Sequence, residues 1–265
     1  MMHVEQAIRR VNRNVALTWA IHGLLAGAVA ASLIVGTILQ LPPILLAAIP
    51  CILWVLLAVN GYRETHNAMR WPMLIASGDL VKAEQEIESA IHGFSVMRSV
   101  KLLSLHHLAV LRMAQRNWTD AARLSKAVQG HRLGRDGSLT RASLLVLAAS
   151  ATRVGQMRDA YEALQCLRGM PLTLDEQLSL LHAECGYLGR IGAWEAMAWR
   201  IEVKVKMAEL MPSEAAAQTE GLLALAAKRM GQSPWTELLK RRCELLGDAA
   251  KLVGEEPALA ELWPR

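Results

Sequence analysis

The chain has 265 residues, of which 53% are apolar, with a mean hydropathy of +0.22 and a formal net charge of +5. It contains one Phe and three Tyr, so its apolar content comes from Leu, Ala, Ile, Val and Met, which favours helices over sheets. The cysteines, Cys51, Cys166, Cys185 and Cys243, are far apart in sequence. Their spacing argues against a C-x-x-C zinc site and a dense disulfide framework, and it is typical of a reducing compartment.

The N-terminal region contains two stretches without charged residues. The first runs from Val15 to Leu39, and a helix of these 25 residues exceeds the roughly 30 Å hydrocarbon core of a bilayer. The second runs from Leu41 to Tyr62, and the prolines between them predict a break. We predict a basic cytosolic segment (1–14), a first transmembrane helix (15–39), a short non-cytosolic turn (40–43) and a second transmembrane helix (44–62).

The basic residues that flank these stretches predict their orientation. Arginines precede the first stretch and basic residues follow the second, whereas the turn has no charge: Arg9, Arg10 and Arg13, then Arg63, Arg70 and Lys82. Lys and Arg accumulate on the cytosolic side, so we expect both termini in the cytosol, at a bacterial inner membrane. Two alternatives are a cleaved signal peptide, although the apolar sequence continues to Leu39, and a buried hairpin of a soluble protein.

Small residues form one face of the first predicted span: Gly23, Gly27, Ser32 and Gly36. Such a face allows two helices to approach closely. It predicts packing against the second span of the same chain or, alternatively, a homo-oligomer formed within the membrane. His22, in the same stretch, is interpreted as a neutral histidine near the cytosolic end.

A repeat begins after the apolar stretches. Short turns centred on Gly78, Arg116, Gly155, Gly192 and Gly231 are separated by 38, 39, 37 and 39 residues. Each turn stands between two segments with apolar residues at helical spacing, and glycine tolerates the backbone angles that end a helix. The pattern predicts about five helical hairpins within residues 63–265.

This pattern resembles the tetratricopeptide repeat family. The best matches are Leu108, Ala109, Trp118 and Ala121, and then Leu147, Ala148, Gly155, Met157 and Ala160. Later units depart from the family, with Met197 and Thr236 where it has Ala, and the intervals exceed its usual length. The resemblance implies an α-solenoid whose groove binds a protein. Two spans followed by repeats also resemble the layout of HemY-type bacterial membrane proteins, which implies a link to tetrapyrrole metabolism.

We find no sequence motif for catalysis and predict neither an enzyme nor a cofactor. Adjacent His106 and His107 face different sides of a helix, and His182, Glu184 and Cys185 are poorly spaced for a shared site. Six arginines are candidates for a basic surface that contacts an acidic partner or anionic lipid rather than nucleic acid: Arg112, Arg116, Arg123, Arg132, Arg135 and Arg141. A solvated helix face without a partner is the alternative for each of them.

These observations predict a membrane-anchored scaffold or adaptor that binds a protein partner through a helical solenoid. The alternative is a non-catalytic or lipid- or cofactor-binding subunit of a membrane enzyme complex.

Overall fold

The protein is all-helical wherever the computed structural model describes it, over residues 3–38, 43–95, 97–131 and 137–263, and this part contains no strand. For residues 36–37, 43–47 and 65 only the backbone is described. The all-α prediction is therefore confirmed for the described residues. The chain divides into two compact units, Met1–Arg132 and Leu133–Arg265.

The first unit is arranged around α5. Its described helices are α1 (Val4–Ile38), α2 (Pro43–Ala68), α3 (Trp71–Ala76), α4 (Leu80–His92), α5 (Arg98–Ala114) and α6 (Trp118–Gln129). The other five helices all pack against α5. Eleven of its side chains are buried, including Leu102, Leu105 and Leu108. This is the pattern of a central helix rather than of an amphipathic surface helix.

The N-terminal basic segment is part of α1, because the helix begins at Val4 and continues without interruption to Ile38. The predicted turn at 40–43 lies outside the described residues except for Pro43, where α2 begins. The predicted second span, 44–62, lies within α2, which continues to Ala68.

The second unit is arranged around α12. Its described helices are α7 (Ser138–Val154), α8 (Met157–Arg168), α9 (Leu174–Ile191), α10 (Trp194–Ala198), α11 (Ile201–Ala208), α12 (Ser213–Arg229), α13 (Ser233–Leu246) and α14 (Ala249–Glu255), followed by a 3-10 helix (Pro257–Glu261). All of these except α7 and α8 pack against α12, whereas α7 and α8 pack against each other and against α9. The buried stretch from Leu222 to Ala227 forms the centre of this core.

The five repeated turns share one backbone geometry. The central residue of each has a positive φ, of 82°, 60°, 86°, 72° and 71° at Gly78, Arg116, Gly155, Gly192 and Gly231. The next residue donates its N–H to the carbonyl five positions earlier, at 2.8–3.0 Å, which is the Schellman hydrogen bond of a helix C-terminus. Each turn joins two helices, but their assignment to tetratricopeptide-like hairpins of one solenoid stays a prediction.

The helix after the fourth turn departs from this regularity. α10 ends at Ala198, and α11 begins at Ile201 after Arg200, which has a φ of 54°. The extended backbone of Trp199 ends α10, and the left-handed conformation of Arg200, which is costly for a residue with a Cβ, precedes α11. The guanidinium of Arg200 lies 5.5 Å from the centre of the Trp199 ring.

Candidate functional site

The first half of α1 is built into the core of the first unit. Val4, Ala7, Val11 and Val15 are between 0 and 8% exposed, and their helical spacing places them on one face. This face packs against α4, α5 and α6. The basic N-terminal segment is therefore a structural helix of this unit, and its apolar spacing is the sequence signal that predicts the packing.

Side chains of α1 and α5 bind the carboxyl end of α4. The Nζ of Lys101 donates to the carbonyls of Ala90 at 2.5 Å and Gly93 at 2.7 Å. Arg10 donates to the carbonyl of His92 at 3.4 Å, and Asn14 to that of Gly93 at 3.5 Å. The last carbonyls of a helix have no partner within the helix, so these side chains supply the missing hydrogen-bond donors. The basic side chains also interact favourably with the negative end of the helix dipole.

Lys101 is completely buried, although its ammonium is charged in water. Burial lowers its pKa, the Glu64 carboxylate opposes this change, and the nearby charge of Arg10 adds to it. The two carbonyls that accept from Nζ compensate the lost hydration. Its position near Arg10 makes this end of the unit electropositive.

A groove of about 440 Å³ lies beside this capped helix end. It is lined by Gln6, Arg9, Arg10, Arg13 and His92. No carboxylate belongs to this lining in the described part of the chain. We call it the arginine groove. Its arginines come from the segment that precedes the first apolar stretch.

Beyond Thr18, α1 exposes large apolar side chains instead of burying them. Leu24, Ile34 and Ile38 are 73%, 60% and 72% exposed. One described helix is long and apolar enough to cross a membrane, over Val4–Val35, and only 6% of its most apolar window is buried. A core helix of a soluble protein would be covered. The second predicted span is untested in this respect and stays a prediction.

Two small residues of the predicted face, Gly23 and Gly27, have open space beside them among the described residues. A Cβ placed on Gly23 or Gly27 would have no described atom within 4 Å. The Ser32 hydroxyl donates to the Ala28 carbonyl at 2.7 Å, and the side-chain surroundings of Gly36 lie outside the description. Gly23 and Gly27 thus form an open surface among the described residues.

Against known proteins, the chain gives no match to a family model, to a curated protein or to a solved structure. The tetratricopeptide and HemY-type resemblances therefore stay at the level of sequence pattern and layout.

Two of the six arginines predicted as a basic surface, Arg112 and Arg141, form ion pairs within their own units. Arg112 is 1% exposed and pairs with Glu84 at 2.9 Å, and Arg141 pairs with Glu176 at 2.9 Å in the second unit. Their charges are neutralised internally. The exposed members among the described residues are Arg116 and Arg123, while Arg132 and Arg135 lie outside the description.

The histidines considered for catalysis are buried. Burial lowers the pKa of His106 to about 3, with a contribution from the adjacent His107, and burial lowers that of His107 to about 4. The ring of His107 packs edge-on against Trp71 at 5.4 Å. Both side chains belong to the core around α5.

The other candidate group is equally enclosed or paired. His182 lies 2.9 Å from the Thr219 hydroxyl, and Glu184 accepts from Arg168 at 2.7 Å. Burial raises the pKa of the Cys185 thiol to about 12, so its nucleophilic thiolate is suppressed. In the described part of the chain, no three His, Cys, Asp or Glu residues are placed to hold a metal ion.

Sequence reasoning overlooked the arginine groove. In the sequence, the early arginines indicate only the orientation of the predicted spans, and the predicted basic surface lies further along the chain. The available signal was the apolar spacing of Val4, Ala7 and Val11, which predicts that the opposite, basic face is fixed in a folded unit.

Proposed function

We propose that the chain is a membrane-anchored scaffold that binds a protein partner through tetratricopeptide-like helical repeats in the cytosol. The observation that carries this proposal is the division of α1 into a packed first half and an exposed apolar second half. Since one helix joins the two parts, the orientation of the first unit follows that of the membrane span. The shared geometry of the five turns supports repeats of one kind.

The proposal includes α2 as a second span and places both termini on the cytosolic side of a bacterial inner membrane. Five consecutive residues of α2, Ile52–Leu56, are each 48–61% exposed. Consecutive residues point in all directions around a helix, so this segment is apolar on every side and suits lipid.

Two natural cysteines test the anchoring in intact membranes. Cys51 and Cys166 are both exposed, the first in the apolar part of α2 and the second in α8. A polar, membrane-impermeant maleimide should label Cys166 in inside-out vesicles and leave Cys51 unlabelled until detergent is added. The buried Cys185 and Cys243 serve as internal controls that label only after unfolding. Labelling of Cys51 without detergent would contradict the second span.

Crosslinking with mass spectrometry on native membranes tests partner binding. We expect recurrent crosslinks from one helix face of the second unit to the same protein. A double variant, Leu24→Asp with Ile34→Asp, should lose them because anchoring no longer raises the local concentration of the partner. A lipid or cofactor that copurifies without any recurrent protein would instead support the enzyme-complex subunit.

We further propose that the open surface at Gly23 and Gly27 forms a homo-oligomer within the membrane. Without glycine, the two helices could not approach closely. Gly27→Leu should abolish crosslinked dimers in native membranes, whereas Leu24→Ile, on the same helix, should preserve them. Equal dimer yields in both variants would exclude this interface.

A further inference from the structure

We propose that the arginine groove binds the phosphate of an anionic lipid headgroup, an inference that rests on the proposed membrane anchoring. Arg9, Arg10 and Arg13 line one groove, and none of them forms an ion pair with the described residues. Three guanidinium groups that share a groove repel one another unless an anion lies between them. Guanidinium groups bind phosphate through paired N–H donors, which suits this ligand better than a simple halide.

The helix holds these arginines in fixed positions. Val11 and Ala7, on the opposite face, are fully buried, and Asn14 and Arg10 bind the carboxyl end of α4. The groove is therefore preorganised, so binding does not require ordering of the backbone. Its volume of about 440 Å³ accommodates a phosphate with part of a headgroup.

The position along α1 identifies a lipid as the source of the phosphate. Trp19 is 68% exposed and lies near the start of the exposed apolar part of α1. Arg13 precedes it by six residues, or about 9 Å along the helix axis, and the headgroup layer on each side of a bilayer is roughly 5–7 Å thick. The long side chain of Arg13 can cover the remaining distance, as arginines at membrane surfaces do.

Local charge supports an anion in this groove. Lys101 is buried behind Arg10 and compensates the negative end of the α4 dipole. Glu5 lies one helical turn before Arg9 and is the acidic residue of the first turn of α1, but it does not line the groove. The field in the groove is thus positive.

The test uses the full chain in nanodiscs of phosphatidylcholine with or without phosphatidylglycerol. Bound lipid is counted by native mass spectrometry after delipidation. The groove variant is Arg9→Gln, Arg10→Gln and Arg13→Gln. The matched control is Arg116→Gln, Arg123→Gln and Lys126→Gln, which removes the same charge from the exposed side of α6 and the turn before it.

We expect the unmodified protein and the α6 variant to retain phosphatidylglycerol, and the groove variant to bind it at least ~10-fold more weakly, since each juxtamembrane arginine contributes to anionic lipid binding. Equal losses in the two variants would show diffuse attraction and overturn the groove. Equal retention would overturn it as well.

Two further measurements test the membrane anchoring by itself and distinguish a lipid headgroup from a soluble phosphate compound. Flotation with vesicles of pure phosphatidylcholine reports anchoring alone, so protein that fails to float contradicts the proposed function. Protein that floats but shows no groove-dependent lipid contradicts only this inference. Titration of the detergent-solubilised protein with inorganic pyrophosphate should leave the bound lipid in place at millimolar concentration, and displacement with tight pyrophosphate binding would assign the groove to a soluble phosphate compound.

Discussion

The two units of this protein differ in where they place their apolar and charged side chains. In the second unit, the large exposed apolar residues are scattered over separate helices and a turn, as in Leu174, Trp199 and Leu245. In the first unit they run consecutively along a helix, as in Ile52–Leu56. The first unit also buries basic residues in its central helix, Lys101 and Arg112, whereas the central helix of the second unit buries an acidic residue, Glu220.

This difference shows that apolar content alone does not identify a membrane helix. α12 is rich in Ala and Leu and is covered by its neighbours. The hydrophobic effect stabilises this packing. The second half of α1 is also rich in Ala and Leu, but it contains no Asp, Glu, Lys or Arg and has no such cover. Under the proposed anchoring, lipid covers this part of the surface of the first unit.

The largest effect is expected from charges in the uncovered part of α1. Each carboxylate in Leu24→Asp with Ile34→Asp should cost roughly 3 kcal/mol of insertion free energy. We expect the protein to leave the membrane fraction after carbonate extraction. The control, Leu174→Asp with Leu245→Asp, changes equally exposed positions of the second unit and should leave the protein in the membrane. Membrane retention of both variants would contradict the contrast between the units.

A smaller effect is expected from the lysines that bind helix carbonyls in each unit. Lys101→Met removes the Nζ donor from the carbonyls of Ala90 and Gly93 and leaves Gly93 with only the longer contact from Asn14, which should destabilise the protein by about 2 kcal/mol. Lys204 donates to the carbonyls of Ala196 and Met197, but it is half-buried and water can replace it.

The matched variants are compared by thermal unfolding in detergent. We expect a decrease in Tm of about 4–8 °C for Lys101→Met, because 1 kcal/mol corresponds to about 2–4 °C at this chain length. Lys204→Met should change Tm by less than half as much. Equal decreases in Tm would mean that the burial of Lys101 does not increase its contribution to stability.

The buried histidines make the stability of the first unit depend on pH. The pKa of His106 is about 3 and that of His107 about 4 in the folded protein, against 6.5 as the ordinary value. Below pH 6.5 the unfolded chain therefore binds protons that the folded one does not, so stability falls as the pH decreases. The slope is up to about 1.4 kcal/mol per pH unit for each histidine until its folded pKa is reached.

Hydrogen exchange at pH 7 and pH 5, corrected for intrinsic rates, measures this loss in each unit. Amides of α5 should lose more protection than those of α12. Burial lowers the pKa of two adjacent histidines in α5, whereas in the second unit it lowers the pKa of His182 alone. His106→Gln with His107→Gln should remove most of the difference. Unchanged protection of α5 at pH 5 would contradict the lowered pKa values.

The sequence predicts the helical class and the turn positions because both depend on local chemistry. Turn spacing identified even Arg116, which adopts the left-handed conformation without being glycine. It did not predict that Arg112 and Arg141 pair with Glu84 and Glu176, because partners 28 and 35 residues away are brought together only by packing. For the same reason, the contact of α1 with the end of α4 was not apparent from local patterns.

The smallest effect is expected at the turn residues, where the two units differ by one side chain. Among the five repeated turns, Arg116 of the first unit has a φ of 60°, whereas the repeated turns of the second unit have glycine, as at Gly155 with a φ of 86°. A non-glycine residue in the left-handed conformation costs roughly 1–2 kcal/mol. Glycine avoids this cost, but it loses more conformational entropy on folding, so its net advantage is smaller. We expect Arg116→Gly to be more stable than Arg116→Ala by about 0.5–1 kcal/mol, a comparison in which both variants lack the arginine side chain. Gly155→Ala should lose about the same amount of stability.

Thermal unfolding would resolve this difference in stability as a change in Tm of about 1–4 °C. Equal stability of the two Arg116 variants would mean that the left-handed geometry carries no strain, and that something other than the backbone maintains the regular spacing of the turns.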